Sequence, residues 1–371
     1  MCAGCSAGRL ATRPPARLDC HRSRTKSCRA VSAVRGSDVH ARAHRSRRIV
    51  VSPAAAVRSD APRLLCVGST VVDVNIQGLE RFPVPDVEFT QASDVAHEQP
   101  VRVLLGGTAA NTAMVYAALT GRCDLGGVIG ADPFGDFLAS GLADHGVAVL
   151  GERAGSTATH TIALGVDGRR QAYWYAGPPL DPGPLLAAWN PGHVYLSGIN
   201  LCFQRPLTDA ACAFGRAARA AGARAVLDIG QGGPGALDFH EISEIGAEMD
   251  LLIGSRAEFA AALGCEYAER RDGLRERFSG PVVVKLGAGG SLLDPGPGQE
   301  LRRVTGFQVE ANNPIGAGDS FAGGLLSAWL AGADLETACR RGNAAGAISV
   351  RSPGGPQDVT KAAVDRLERE G

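Results

Sequence analysis

Long apolar runs, a net charge, paired cysteine motifs and internal repeats are all missing from this 371-residue chain. No stretch approaches the roughly 18 consecutive apolar residues of a transmembrane helix, so no membrane partner is expected. Lysine plus arginine equal aspartate plus glutamate at 38 each, which leaves no overall basic field for a nucleic acid. Cys2 and Cys5 have no partner pair nearby, and Cys66, Cys123, Cys202, Cys212, Cys265 and Cys339 are scattered. That spacing argues against a zinc site and suits small core hydrophobes in a reducing compartment. No period of solenoid length recurs, and no linker divides the body.

What is present begins with an uneven charge distribution. Residues 1–60 hold twelve arginines and one lysine against Asp19, Asp38 and Asp60, so they carry +10 and the remainder −10. This stretch is rich in Arg, Ala and Ser, and it lacks the apolar core of a secretory signal. It therefore resembles an organelle transit peptide, chloroplast in preference to mitochondrion; a disordered basic arm is the other reading. The folded domain is expected over 61–371.

From Arg63 onward, short apolar runs alternate with helical patterns. Leu64 to Val67 reads as a buried strand closed by Gly68, and Val71 to Ile76 as a strand with Asp73 and Asn75 on one face. Those two side chains suit either sugar hydroxyls or solvent. Val101 to Leu105 passes through Gly106-Gly107 into an Ala-rich helix carrying Asn111, either a ligand contact or a tight turn. Leu125 to Ile129 predicts a strand and Phe134 to His145 a helix capped by the histidine. Thr159 to Val166 and Gln171 to Tyr175, joined through Asp167-Gly168, predict a β-hairpin whose Tyr173, Trp174 and Tyr175 either close over a ligand or pack.

Further strands are expected to end at Ser197, Asp228, Ile253 and Leu286, the last two leading into Ser255 to Glu258 and Gly287 to Gly289. Such alternation predicts an α/β fold with a mostly parallel sheet covered on both faces, where ligands gather at the carboxyl ends of the strands. Asn312-Asn313-Pro314-Ile315-Gly316-Ala317-Gly318-Asp319 then opens an apolar helix. Unpaired N–H groups at a helix entry favour an anion, and Asp319 in the same turn can take a proton from a hydroxyl.

Gly316-Ala317-Gly318-Asp319 is similar to the Asp-Thr-x-Gly-Ala-Gly-Asp signature of the ribokinase-like, or PfkB-type, carbohydrate kinase family. Gly106-Gly107 with Asn111 resembles that family's first signature, and the likeness spans about Arg63 to Leu367. It implies a three-layer αβα core with a small β lid from about 86–104 and 159–175. It also implies ATP as phosphoryl donor, Mg²⁺ as counter-ion, and a sugar or nucleoside as acceptor. Asp319 would be the base, with the N–H groups of Gly316, Ala317 and Gly318 as anion hole. Asp73, Gly106, Gly107 and Asn111 would meet the acceptor; Ser255, Lys285, Gly287, Gly289 and Asn343 would flank the nucleotide. Glu258 would act on the metal through water. Three positions depart from the pattern: Asn313-Pro314 stands for Asp-Thr, Ser255 for Asn, and Lys285 for a small hydroxyl residue. The first argues against a monovalent-cation requirement. A homodimer joined through the lid is also compatible, and a catalytically silent scaffold is the alternative function.

Overall fold

The computed structural model describes residues 50–51, 62–80, 82, 98–190, 192–198, 206–230 and 237–371. Apart from Val50 and Val51, the span read as a leader lies outside them, as does the expected lid stretch 86–97. Ten strands form one sheet. In chain order they are β1 (Val50–Val51), β2 (Leu64–Val67), β5 (Cys123–Gly126), β6 (Val147–Gly151), β9 (His193–Ser197), β10 (Ala225–Asp228), β11 (Leu251–Ser255), β12 (Val282–Lys285), β13 (Ser291–Asp294) and β14 (Arg302–Val304). The remaining four, β3 (Val71–Leu79), β4 (Arg102–Gly106), β7 (Thr159–Gly165) and β8 (Arg170–Tyr175), form a second, smaller sheet.

The large sheet runs β1-β6-β5-β2-β9-β10-β11-β12-β13-β14 and is parallel from β6 to β12. Successive residues of its strands enter opposite cores. Leu64 and Cys66 pack on one side and Leu65 and Val67 on the other, with helices covering both. That is the alternation of a strand buried on both faces. The antiparallel strands β13 and β14 extend the sheet beyond the alternating strand and helix pattern. β5 starts at Cys123, two residues before its expected start, and ends at Gly126; Ile129 keeps only an isolated bridge to Arg153.

Local chemistry sets the helix starts. Asp132 accepts from Gly135 N–H at 2.8 Å ahead of Pro133, and Ser255 and Glu258 form a reciprocal capping box. His145 closes its helix as expected, its ring nitrogen Nδ1 lying 2.8 Å from the Gly141 carbonyl. Parallel register aligns the strand ends: Ser197 pairs with Asp228, and Ser255 with Lys285. The small sheet has the order β4-β3-β7-β8 and includes the strand of Asp73, which lies outside the lid stretches expected from the sequence. Among the described residues no helix is long and apolar enough to cross a membrane.

Candidate active site

Helix packing brings the first catalytic candidates together. The helices Thr108–Thr120, Ala317–Trp329 and Leu335–Arg351 meet at small residues: a Cβ on Gly323 would stand 2.8 Å from Val115, and one on Gly324 2.7 Å from Ala345. That closeness lets Asn111 Nδ2 donate to Asp319 Oδ2 at 2.8 Å, although 208 residues separate them. Gly316 precedes the helix with φ of +76°, and a Cβ there would meet Pro356 at 2.4 Å. Glycine is required twice over at this turn. The first-turn N–H groups of Ala317, Gly318 and Asp319 have no carbonyl one turn earlier within the helix.

The loop before that turn is strapped down. Asn312 and Asn313 N–H both donate to the Val350 carbonyl, at 2.7 and 2.9 Å. Asn313 is buried; its Nδ2 donates to the Pro353 carbonyl at 3.2 Å and its Oδ1 accepts from Ile315 N–H at 3.1 Å. A carboxylate could perform only the second of these.

Asp319 lies in a cavity of about 640 Å³ where the large sheet's strand ends face the lid. Burial raises its carboxyl to about 7, against the opposing pull of the Asn111 bond and the Lys285 charge. Lys285 Nζ donates to both oxygens of Asp228, at 2.9 and 3.1 Å, and lies 3.9 Å from Glu258. Burial alone would lower the Lys285 ammonium, but Asp228 and then Glu258 outweigh it, so the group is held above its ordinary value and stays charged. Burial likewise pushes Asp228 upward, opposed by Lys285. Tyr195, whose hydroxyl is driven up by burial and by Asp228, remains a donor and bonds Asp228 at 3.1 Å.

On the lid side, three buried polar atoms of cavity-lining residues have no hydrogen-bond partner among the described residues: Thr70 Oγ1, Asp73 Oδ1 and Asn111 Oδ1. His160 Nδ1 approaches Asp73 Oδ1 at 3.5 Å without reaching hydrogen-bond geometry. The glycine pair makes the approach possible. A Cβ on Gly106 would stand 2.3 Å from Asp73 Oδ2; Gly107, at φ +100°, would meet the Ser69 carbonyl at 2.3 Å. Trp174 and Tyr175 border the same cavity and are more than half exposed, so the hairpin aromatics do not serve as core packing.

Of the residues expected at the site, Asp73, Gly107, Asn111, Ser255, Glu258, Lys285, Gly287, Gly316, Gly318 and Asp319 line this cavity. Gly106 backs Asp73 from outside. Ala317 supplies helix backbone only, and Gly289 accepts from Arg303 at 3.3 Å through its carbonyl. Asn343 is buried and donates to the carbonyls of Val304 and Thr305 at 3.1 and 3.2 Å, bracing the end of β14. Thr70, His160 and Tyr195 join the site without belonging to any motif in the sequence. Thr70 follows the carboxyl end of β2, and that position was its available signal.

Residues 61–362 match the profile described as pfkB family carbohydrate kinase. An ATP-dependent ribose-1-phosphate kinase of Halopiger xanaduensis is 31% identical over 309 residues, covering 81% of this chain and 96% of that protein. A nucleoside kinase of Methanothermobacter thermautotrophicus is 29% identical over 303 residues, covering 78% and 90%. The structure of Arabidopsis thaliana ribokinase complexed with ribose and ATP superposes with a TM-score of 0.67 at 23% identity, covering 83% of this chain and 99% of that one. At that identity the likeness carries the ribokinase-like fold.

Proposed function

The chain belongs to the pfkB family of carbohydrate kinases, and on that premise we propose that it transfers the γ-phosphoryl group of ATP to a hydroxyl group of a sugar or nucleoside. The observation that carries this reading is the buried Asp319 carboxyl, raised to about 7 at a helix entry and facing a cavity with three unpartnered polar atoms. A base near neutrality is matched to taking a hydroxyl proton as the bond to phosphorus forms. Asp73, Asn111 and Thr70 would receive the acceptor's hydroxyl groups, satisfying those atoms. The acceptor oxygen bonds to the γ-phosphorus, the bond to the ADP oxygen breaks, and the proton passes to Asp319. Phosphoryl transfer of this kind asks the protein mainly for alignment and charge stabilisation. The N–H groups of Gly316 and Gly318 would supply fixed dipoles for the transferring group, while that of Ala317 also donates to the Pro314 carbonyl at 3.5 Å.

The carboxylates bordering the nucleotide side are hard oxygen donors, which suits Mg²⁺ held chiefly by phosphate and water. Glu258 fits the indirect role, since one of its oxygens already accepts from Ser255 N–H at 2.5 Å. The ion, when bound, neutralises phosphate charge. Asn313 donates to the Pro353 carbonyl where a carboxylate would call for a cation, so we expect no potassium requirement. Residues 1–60 are proposed to direct the chain to an organelle, the chloroplast first, and Tyr173 with the exposed Val101 and Val103 suits lid-to-lid pairing of two copies.

The poised base favours an enzyme over a silent scaffold. The purified chain, given MgATP and a panel of pentoses, hexoses, ribose 1-phosphate and nucleosides, should release ADP with at least one acceptor. Release at the background rate across the panel would sink the proposal.

A further inference from the structure

Lys285 stands where the family resemblance implies a small hydroxyl residue, and two readings of it compete. A buried lysine bound to a buried aspartate is commonly a structural pair, each group present to satisfy the other. Four observations favour something more. The side chain is not sealed in the core: it lines the cavity and keeps 12% of its surface accessible. Its ammonium lies 3.4 Å from where a Cβ would stand on Gly318, beside the helix entry. Both oxygens of its partner Asp228 are bound by it, and Tyr195 fixes one of them from behind. Finally, lysine occurs only at positions 26, 285 and 361 of a chain whose lysines and arginines total 38. In an arginine-dominated chain, the one lysine or arginine lining the cavity among the described residues is the compact point charge.

The geometry points to Lys285 as a catalytic cation of the phosphoryl transfer, with Asp228 and Tyr195 as the residues that position it. This rests on the kinase reading above. A transferring phosphoryl group spreads negative charge over its oxygens, and a cation fixed in place beforehand stabilises that charge without reorganising. Lys285 neither gives nor takes a proton in the step; the bonds that form and break are those already described, with Asp319 receiving the proton. Asp228 holds the ammonium at the strand end and prevents it from swinging into solvent. Because three carboxylates, Asp228, Glu258 and Asp319, surround one lysine, its charge also bears on Asp319, alongside the Tyr195 hydroxyl.

The test compares the wild-type chain with Lys285→Met and with the double variant Lys285→Met/Asp228→Asn, which removes both members of the pair. Four quantities are read: thermal stability, kcat and KM for a working acceptor, the pH profile of kcat/KM, and affinity for a non-hydrolysable ATP analogue relative to ADP. We expect Lys285→Met to lose about 10²–10³-fold in kcat while acceptor KM stays within about threefold. Its preference for the triphosphate analogue over ADP should collapse, and its acid limb should move to higher pH. The double variant should recover stability but not turnover. A double variant that turns over within about fivefold of wild type would show the pair to be structural and overturn the inference. A wild-type chain that binds no ATP analogue would instead overturn the kinase reading and this inference with it. A wild type that binds and turns over, with a Lys285→Met variant unchanged in both, would overturn the lysine's role alone.

Discussion

As the proposed base, Asp319 would serve chemistry at the expense of the fold. Its carboxyl is raised to about 7, so at pH 6 most of the protein holds it protonated and unable to act as base. kcat/KM should therefore fall about tenfold per pH unit well below 7, and a pH profile with its acid limb near 4 would contradict the assignment. Asp319→Asn keeps an acceptor for the Asn111 amide but cannot take a proton; turnover should drop at least about a hundredfold with ATP affinity little changed. Asn313 invites the converse experiment. Wild-type turnover should be the same in sodium and potassium salts. Asn313→Asp loses the donor to the Pro353 carbonyl and should become less stable, and potassium should restore part of the loss. A wild-type rate that rises severalfold on potassium addition would exclude the amide's stand-in role.

The lid carries its own prediction at the scale of an element. Trp174 borders the cavity at the edge strand β8, with 54% of its surface exposed. An exposed ring over a site that takes sugars or nucleosides is placed to stack on a base. Trp174→Ala should raise KM for a nucleoside acceptor about tenfold and leave that for a free pentose within about twofold, with kcat preserved in both. Equal effects on the two acceptors would make the tryptophan a general lid residue. The hairpin of β7 and β8 was legible because Asp167-Gly168 sits between alternating runs, and the end of β10 was legible because its short apolar run is closed by Asp228. What the chain order could not disclose was the long-range join. Asn111 meets Asp319 only because Gly323 and Gly324 let three helices close up, and a helical glycine reads locally as a weak helix former rather than a contact. The antiparallel edge at β13 and β14 was likewise hidden, since three- and four-residue strands offer too little period.

For the whole molecule, two buried carboxyls impose opposite slopes on stability against pH. Asp294, on β13, would be raised by burial, but bonds from Arg271, Tyr267 and Arg275 outweigh that and hold it down at about 2. Its folded value lies below the unfolded one, so its contribution is present above about 4 and is lost as pH falls towards 2. That contribution is about 2 kcal/mol. Asp319 lies on the other side: its folded value is above the unfolded one, so its contribution is full below about 4 and is lost as pH rises towards 7. Because the cavity still admits water, roughly 2–4 kcal/mol is the scale. Stability should therefore peak near pH 4 so far as these two groups govern it. Asp319→Asn should remove the descending limb, making the inactive variant more stable than wild type at pH 8 and no different near pH 4. Asp294→Asn strips the arginine pair of its partner and should be destabilised at neutral pH by about 3–5 kcal/mol, with the difference narrowing as pH drops below 4. Denaturant melts of the three proteins at pH 3, 4, 6 and 8 test both signs at once. A wild type that gains stability from pH 4 to 7 by the amount Asp319→Asn does would mean that the carboxyl is not held protonated by the fold, and the base assignment would lose its physical footing.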